Sequence, residues 1–155
     1  ALSPAITSSD ITITAWFKAS PGSAGGTVAS IGDSRAFGLG IPGVDAGKVV
    51  APNSGNAAKS SKDYRDDKWH FVAVKMGSGG VQIWVDGALD GNSSTVVNLS
   101  GTCCTLLRIG YGQEGGWGYF TGTVDDVKLY NESLTAQEIH KYYAEGAPKH
   151  MLAVK

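Results

Sequence analysis

The sequence predicts an all-β fold, a two-sheet antiparallel jelly-roll sandwich with one short C-terminal helix. Apolar residues recur with period two in many short segments, which is the spacing of a strand with one buried face. The 22 glycines of the 155 residues are spread along the chain. They place turn signals between these segments at the ~8–12-residue intervals typical of a sandwich. The helical pattern comes late, after the last predicted strand.

The strands are predicted in order along the chain. The clearest pattern covers residues 11–17, where isoleucine, alanine and phenylalanine fall on one face and threonine and tryptophan on the other. Further strands are predicted at residues 27–31, 36–41, 48–51, 69–76, 81–85, 95–99, 105–109 and 118–130, the last with a kink near Gly122. Asp86-Gly87 is a strong hairpin signal. The polar stretch 52–67 is predicted to be a loop.

The helix is predicted from a capping box at its N-terminus. The Thr135 hydroxyl is expected to accept a hydrogen bond from the Glu138 amide, while the Glu138 carboxylate reaches back to residue 135. An apolar stripe that includes Ile139 follows and ends near Gly146. Pro148 is expected to prevent the helix from continuing.

Charge and hydropathy exclude several classes of function. Thirteen Lys plus Arg against fourteen Asp plus Glu leave a net charge of −1, with no block of like charge. A nucleic-acid-binding module or an anionic membrane surface would require a basic stripe, so we expect neither partner. No apolar run approaches the ~18 residues of a membrane span, so membrane insertion is not expected.

Four segments carry a pattern that identifies a family. The run YFTGTVDDVKLYN at residues 119–131 is followed by Ser133-Leu134-Thr135, and residues 13–18, 68–74 and 81–87 precede it in the expected order. Together these segments resemble laminin-G-like domains, which belong to the concanavalin A-like lectin/glucanase group. The resemblance covers roughly residues 10–145 and implies the fold, whereas it is unspecific for function.

The resemblance implies binding rather than one particular ligand. Domains of this type bind glycans, proteins or calcium, or serve as accessory modules of secreted polysaccharide-degrading enzymes. It also implies calcium as a candidate cofactor, with Asp125 as a ligand, or Asp126 in second place, because hard cations prefer oxygen ligands. An ordinary aspartate at a strand edge is the alternative.

The chain departs from the family at its start and at its end. The usual opening strand is missing, and no second domain is marked, so residues 1–146 are predicted as one sandwich and 147–155 as a tail. Because an uncovered sheet edge invites aggregation, residues 150–155 are expected to add a strand, in the same chain or in a neighbouring copy. The second arrangement implies strand exchange or a homo-oligomer. A disordered tail or a remnant of cloning is the alternative.

Catalysis is not predicted. Related glycanases carry two Glu and an Asp on one strand, and none of the four glutamates fits that spacing. Asp125 and Asp126 are neighbours on a predicted strand, so their side chains are expected to point to opposite faces. His70 is expected to be a packed structural residue. We therefore predict no catalytic residues.

Ligand binding is better supported by aromatic and polar residues in loops. Sugar sites stack an aromatic ring on the apolar C–H face of a pyranose, while polar side chains hold the hydroxyls. The predicted ligand-binding residues are Asp33, Arg35, Tyr64, Arg65, Tyr111, Gln113, Glu114 and Trp117. For Trp117 and Tyr64 the alternative to ligand binding is a structural role. For Arg35 and Arg65 the alternative is an ion pair at the surface.

Cys103 and Cys104 are adjacent, so they form neither a zinc site nor a disulfide framework. In an oxidising compartment they are expected to form a strained vicinal disulfide, and two reduced thiols are the alternative. An extracellular or cell-surface location, which the resemblance to modules of secreted enzymes implies, would be such a compartment.

The function that these observations favour is that of a non-catalytic carbohydrate-binding module of a secreted or surface protein, with a glycan or polysaccharide as its partner. The alternative is a structural or adhesive protein-binding module, such as a surface, fibre or decoration domain. An exposed Trp117 in a groove would favour the first function. A packed Trp117 together with a flat exposed apolar patch would favour the second.

Overall fold

Two β-sheets face each other across a hydrophobic core, which confirms the predicted sandwich. The computed structural model describes residues 9–31, 35–40, 43, 45–52, 58–99, 106–112 and 117–151. Within these residues the strands and the helix are β1 Asp10–Lys18, β2 Gly26–Ile31, β3 Arg35–Leu39, β4 Lys48–Ala51, β5 Ala58–Asp63, β6 Trp69–Gly77, β7 Gly80–Val85, β8 Ala88–Ser93, β9 Leu107–Ile109, β10 Tyr111–Gly112, β11 Gly118–Tyr119, β12 Thr123–Tyr130 and α1 Ala136–His150.

The two sheets differ in size and in the regularity of their pairing. The five-stranded sheet has the order β12-β1-β6-β7-β8, and its pairs are antiparallel. The seven-stranded sheet has the order β10-β11-β2-β3-β4-β5, and β9 pairs with β2 outside this order. In this second sheet the β11–β2 pair is parallel, whereas its other strand pairs are antiparallel.

Strand β1 is buried on both faces and organises the five-stranded sheet. Its alternating residues Ile11, Ile13, Ala15 and Phe17 belong to the core between the sheets, as the period-two pattern predicts. On the opposite face Trp16 is 2% exposed and joins a second cluster with Phe71 and Ile139. Because successive side chains alternate across a strand, β1 connects the sandwich core to the helix on the outer face.

Helix α1 covers the outer face of the five-stranded sheet. Its N-terminus has the predicted capping box, in which the Thr135 hydroxyl accepts from the Glu138 amide and the Glu138 carboxylate accepts from the Thr135 amide. Leu134 and Ile139 are buried against the aromatic cluster below. In the described part of the chain, no helix is long and apolar enough to cross a membrane.

The predicted end of the helix is wrong. The helix continues past Gly146 and through Pro148 to His150, and the Met151 amide donates to the Ala147 carbonyl at 2.8 Å. Proline removes one backbone donor there, but the His150 ring stacks on Trp16 with centroids 4.2 Å apart. This tertiary contact holds the last turn, so His150 is helical rather than the first residue of a strand. Residues 152–155 lie outside the described residues.

Three strand predictions also differ from the structure. Strand β5 lies in the predicted loop 52–67, because its inward residues Ala58 and Ser60 are too small or too polar to show a hydrophobic alternation. Strand β8 follows the predicted Asp86-Gly87 hairpin turn, whereas residues 95–99 form no strand. The predicted strand 118–130 is divided into β11 and β12, which belong to different sheets.

Candidate functional site

Two tyrosines form an exposed aromatic pair at the edge of the seven-stranded sheet. Tyr111 of β10 lies directly opposite Tyr119 of β11, and their ring centroids are 4.7 Å apart with planes 37° from parallel. Tyr119 is 78% exposed and Tyr111 is partly exposed. Residues opposite each other on antiparallel strands project to the same face. The two rings, which we call the tyrosine pair, therefore present aromatic surface to solvent.

Glycines shape the backbone on either side of the tyrosine pair. Gly110 has φ +74° and Gly118 has φ +55°, both in the left-handed region that favours glycine. The Gly110 amide donates to the Val28 carbonyl at 2.8 Å, and the Phe120 amide donates to the Gly110 carbonyl at 2.9 Å. These bonds fix the two short strands β10 and β11 to the sheet, so the exposed rings stand on an anchored backbone.

Trp117, for which ligand binding and a structural role were both predicted as alternatives, is buried. It is 7% exposed, although it lies two residues from the 78% exposed Tyr119. A ring buried to this extent has no open face for a sugar to stack on. The predicted ligand residues Gln113 and Glu114 lie outside the described residues, as do Asp33, Cys103 and Cys104.

Tyr64 and Arg65 lie far from the tyrosine pair and have structural partners. They follow β5, which forms the opposite edge of the seven-stranded sheet from β10. Tyr64 is 5% exposed and donates to Asp90 at 2.7 Å, and burial followed by this contact raises the pKa of its phenol. The structure therefore does not bring these two residues to the tyrosine pair. Arg35 begins β3, between the two edges.

The Arg65 guanidinium is held by two partners. Its Nε and NH2 groups donate to the Asp63 carboxylate at 3.0 Å and 2.6 Å, while NH1 donates to the Ser23 carbonyl at 2.8 Å. The Arg65 hydrogen bond lowers the pKa of Asp63. Arg65 therefore forms the ion pair that was predicted from the sequence as the alternative to ligand binding.

His70 is buried and bonded at both ring nitrogens, in keeping with the expected structural role. Its Nδ1 lies 2.8 Å from Asp86 Oδ2, and its Nε2 lies 3.0 Å from Asp66 Oδ1. Burial lowers the pKa of the ring, but the hydrogen bonds to the two carboxylates outweigh burial and raise it overall. The histidine links the 66–68 turn to the β7–β8 hairpin.

A second group of polar residues lies where β12 meets the end of α1. Asp125, Asp126, Lys149 and His150 form what we call the carboxylate–histidine cluster. Lys149 Nζ lies 2.9 Å from Asp125 Oδ2 and 3.1 Å from Asp126 Oδ2, and His150 Nε2 lies 3.1 Å from Asp125 Oδ2. The Lys149 hydrogen bond, more than any other contact, lowers the pKa of Asp125 to about 2.

The expectation that Asp125 and Asp126 point to opposite faces is wrong. The register of β12 against β1 shifts between the pairs Thr14–Lys128 and Trp16–Asp125, so β12 has an extra residue there. Asp126 takes a left-handed φ of +48° at this bulge. A bulge re-aims side chains, and here both carboxylates reach the same lysine.

The cluster includes a group that could hold a metal ion. One ligand atom each from Asp125, Asp126 and His150 lies within 4.8 Å of the others. Calcium takes six to eight oxygen ligands. The donors here are two carboxylates and an imidazole nitrogen, with a lysine ammonium between the carboxylates. This donor set does not fit the calcium ion that the resemblance implies.

A small cavity opens beside the cluster. It has a volume of about 150 Å³ and lies between α1 and the five-stranded sheet, with Trp16, Phe71 and Tyr142 among its lining residues. Asp126 and Lys149 of the cluster also line it. The cluster therefore has a path to solvent on its cavity side.

Neither the tyrosine pair nor the carboxylate–histidine cluster was fully predicted from the sequence. Tyr119 lies two residues after the predicted ligand-binding residue Trp117, but no local pattern marks it as exposed, because its exposure is set by the sheet edge. His150 was assigned to the tail, because Pro148 suggested an earlier end to the helix. A stronger signal was the Lys149-His150 pair, since basic residues are common in the last turn of a helix.

Solved structures share the fold at low sequence identity. A protein from Bacteroides ovatus ATCC 8483, for which carbohydrate binding has been suggested, matches with a TM-score of 0.72 and 18% identity over 86% of this chain and 40% of its own. Domain 4 of a GH43 extracellular arabinanase from Geobacillus stearothermophilus, in complex with arabinotriose, matches with a TM-score of 0.67 and 15% identity over 88% of this chain and 67% of its own.

An enzyme also contains this fold. Trypanosoma rangeli sialidase matches with a TM-score of 0.64 and 17% identity over 86% of this chain, but this chain spans only 23% of the sialidase. At such identities these similarities show the fold alone. The family is shown by the sequence, because residues 2–140 match the family model of the concanavalin A-like lectin/glucanases superfamily, laminin-G type 3. The chain belongs to this superfamily, as its four sequence segments predict.

Proposed function

We propose that this chain is a non-catalytic carbohydrate-binding module and that the tyrosine pair is its binding surface. The observation that carries the proposal is the exposure of two adjacent aromatic rings, with Tyr119 78% exposed. Large aromatic side chains are normally buried, so an exposed pair on an anchored sheet edge suggests a contact surface. A glycan partner offers the matching chemistry, since its C–H faces stack on aromatic rings.

The same surface suggests the form of the ligand. Two rings with centroids 4.7 Å apart make one short platform rather than two separate subsites. As far as the described residues go, no pocket encloses this platform, and such a surface contacts one side of a sugar chain and leaves the other side in water. We therefore expect weak affinity, with a Kd of ~1 mM corresponding to ~4 kcal/mol of binding free energy.

The carboxylates of the described residues support a non-catalytic role. Glycoside hydrolysis needs a protonated acid and a second carboxylate at a defined distance. The adjacent Asp125 and Asp126 are both paired with Lys149, and the lowered pKa of Asp125 is the opposite of what a general acid requires. Glu138 and Glu145 lie on α1, and Glu132 lies just before it.

The relatives support a glycan partner outside the cell. The arabinanase whose domain 4 shares this fold is extracellular, and that domain was solved with arabinotriose. We propose a comparable accessory role here, in a secreted or surface protein. The predicted Cys103–Cys104 disulfide would agree with that location. It is tested by titrating free thiols in the non-reduced, denatured protein, where two thiols would contradict it.

Glycan binding is tested by titrating immobilised and soluble oligosaccharides against three variants. Tyr119→Ala removes the exposed ring and should abolish binding of any glycan that the native protein recognises. Tyr119→Phe keeps the aromatic ring and should retain most of the glycan binding. Leu89→Ala, at a 47% exposed residue of the other sheet, is the matched surface control. Unchanged binding by Tyr119→Ala would contradict the assigned surface.

A protein-binding role is the second candidate, and two observations favour it. Trp117 is packed, at 7% exposed, and apolar side chains near the tyrosine pair are exposed. Leu106 is 43% exposed and Ile109 is 55% exposed, close in sequence to Tyr111. Exposed apolar residues of this kind also suit a protein interface. Failure of every tested glycan to bind, at millimolar concentration, together with association that is lost in Ile109→Ser, would favour this role.

A further inference from the structure

We propose that Asp125, Asp126 and His150 bind a divalent transition-metal ion of the zinc type, in competition with the Lys149 ammonium. The site lies where β12 meets the last turn of α1, apart from the tyrosine pair and independent of the proposed glycan function. The family resemblance implies that Asp125 is a calcium ligand. The proposal keeps Asp125 as a metal ligand but assigns a different ion. The argument rests on the donor atoms, the orientation of the histidine and the position of the lysine.

The donor atoms lie within 4.8 Å of one another, close enough for one small ion to contact all three after small side-chain shifts. His150 Nε2 lies 3.1 Å from Asp125 Oδ2 and 4.0 Å from Asp126 Oδ2. Zinc binds nitrogen and oxygen at ~2.0–2.2 Å, which places tetrahedral donors ~3.3 Å apart. The two distances from His150 Nε2 to the carboxylate oxygens lie on either side of this ~3.3 Å donor separation. Three protein donors leave the fourth position for water, which the neighbouring cavity can supply.

The histidine is oriented as metal-binding histidines usually are. Its Nδ1–H donates to the Gly146 carbonyl at 3.0 Å, so in the neutral ring the lone pair is on Nε2, which faces the carboxylates. A backbone carbonyl that fixes the tautomer in this way is the usual second partner of a metal-bound histidine. The His150 side chain is 2% exposed, and only a proton or another cation allows Nε2 to approach a carboxylate favourably.

The aromatic packing keeps the ring in this position. His150 stacks on Trp16 at 4.2 Å, with planes 7° apart, and meets Trp69 edge-on at 5.0 Å. A preoriented ligand loses little conformational entropy on binding. The same contacts place two fluorescent tryptophans beside the site, so a paramagnetic ion bound there would quench them.

Imidazole selects against calcium. Nitrogen donors suit zinc, nickel and copper, whereas calcium prefers several oxygens. Lys149 Nζ lies within 3.1 Å of both carboxylates and supplies one positive charge to them. A divalent ion would supply two charges and would also use Nε2, so it should displace the ammonium. Removing the lysine charge should then strengthen metal binding.

The test is a calorimetric titration of the tag-free protein with ZnCl2 and with CaCl2, together with tryptophan quenching by CoCl2. We expect one Zn²⁺ per chain, bound at least ~100-fold more tightly than Ca²⁺. His150→Gln and Asp126→Asn should each weaken Zn²⁺ binding by at least ~10–100-fold, because loss of a residue that only supports a metal ligand already has an effect of that size. Lys149→Gln should strengthen it several-fold.

Matched controls come from the same helix. His140→Gln removes an exposed histidine outside the cluster, and Lys141→Gln removes an exposed lysine that pairs with Glu145 instead. Neither should alter Zn²⁺ binding. Asp126 is exposed, so Asp126→Asn keeps the test valid even if His150→Gln does not fold.

Three results would overturn the proposal. The first is no Zn²⁺ binding by the folded protein at millimolar concentration. The second is Zn²⁺ binding that His140→Gln removes and Asp126→Asn leaves intact. The third is tighter binding of Ca²⁺ than of Zn²⁺. Unchanged Zn²⁺ affinity in Lys149→Gln would overturn the competition assigned to the lysine.

Discussion

The outer face of the five-stranded sheet and the β10–β11 edge of the seven-stranded sheet use aromatic residues in opposite ways. Beneath α1, Trp16 is 2% exposed and lies against Phe71, Tyr143 and His150. At the β10–β11 edge Tyr119 is 78% exposed, and its ring lies beside that of Tyr111. Aromatic residues in the first region stabilise the fold. Those in the second stabilise little and are available to a ligand.

The difference follows from what covers each strand. Strand β1 has a neighbouring strand on both edges, the core on one face and the helix on the other, so its tryptophan is almost entirely shielded from solvent. Strands β10 and β11 contain two residues each and form the edge of their sheet. The position of an aromatic residue within the sheet, rather than its type, therefore decides whether its ring is buried or exposed to solvent.

The largest effect that we expect separates two aromatic residues only two positions apart. Trp117→Ala should lower the free energy of unfolding by ~3 kcal/mol, because a buried tryptophan is lost. Tyr119→Ala should change it by less than ~0.5 kcal/mol, as at other exposed sites. Urea unfolding of both variants measures the contrast. Equal losses would show that the two rings do not differ in the way described.

A smaller effect tests the contribution of α1 to the covered face. Thr135→Ala removes the side-chain acceptor of the capping box and should destabilise the protein by ~1 kcal/mol. Ser133→Ala, at an exposed residue two positions earlier, is the matched control and should have almost no effect. Thermal unfolding of both variants measures the difference. Equal midpoints would mean that the helix start contributes nothing to this face.

The smallest effect concerns pH, since it involves one proton at His70. The carboxylates of Asp86 and Asp66 outweigh burial and raise the pKa of His70 in the folded protein. The resulting stabilisation is fully present below the unfolded value of ~6.5 and is lost as the pH rises through the raised folded value. The free energy of unfolding should therefore fall above pH ~6.5 more steeply than in His70→Gln.

The control for this pH dependence is His140→Gln, which changes an exposed histidine on α1. Its unfolding free energy should follow the native curve across the same pH range. Parallel curves for the native protein and His70→Gln would contradict the assigned role of the two carboxylates.

Local patterns predicted the elements whose signals are local. The alternation of buried and opposite-face residues at 11–17 predicted β1, and the capping box at Thr135 predicted the start of α1. The end of the helix depends on the stacking of His150 on Trp16, which are distant in sequence, so Pro148 suggested the wrong boundary. Strand β5 was missed because Ser60 faces inward.

The candidate sites were less predictable, for a related reason. Tyr111 was a predicted ligand-binding residue and remains one in the proposal, but the burial of Trp117 depends on packing that its neighbours in sequence do not report. The bulge that turns Asp125 and Asp126 to the same lysine depends on the register of β12 against β1. Neither feature has a local sequence signal.

The most direct test of the central claim is ¹⁹F NMR of protein labelled with 3-fluorotyrosine at its six tyrosines. Single Tyr→Phe variants assign the signals, and a glycan that binds is then added to saturation. The account predicts shifts at Tyr111 and Tyr119, with the signals of Tyr142 and Tyr143 on helix α1 unchanged. Shifts confined to Tyr142 and Tyr143, with the tyrosine pair unaffected, would contradict it.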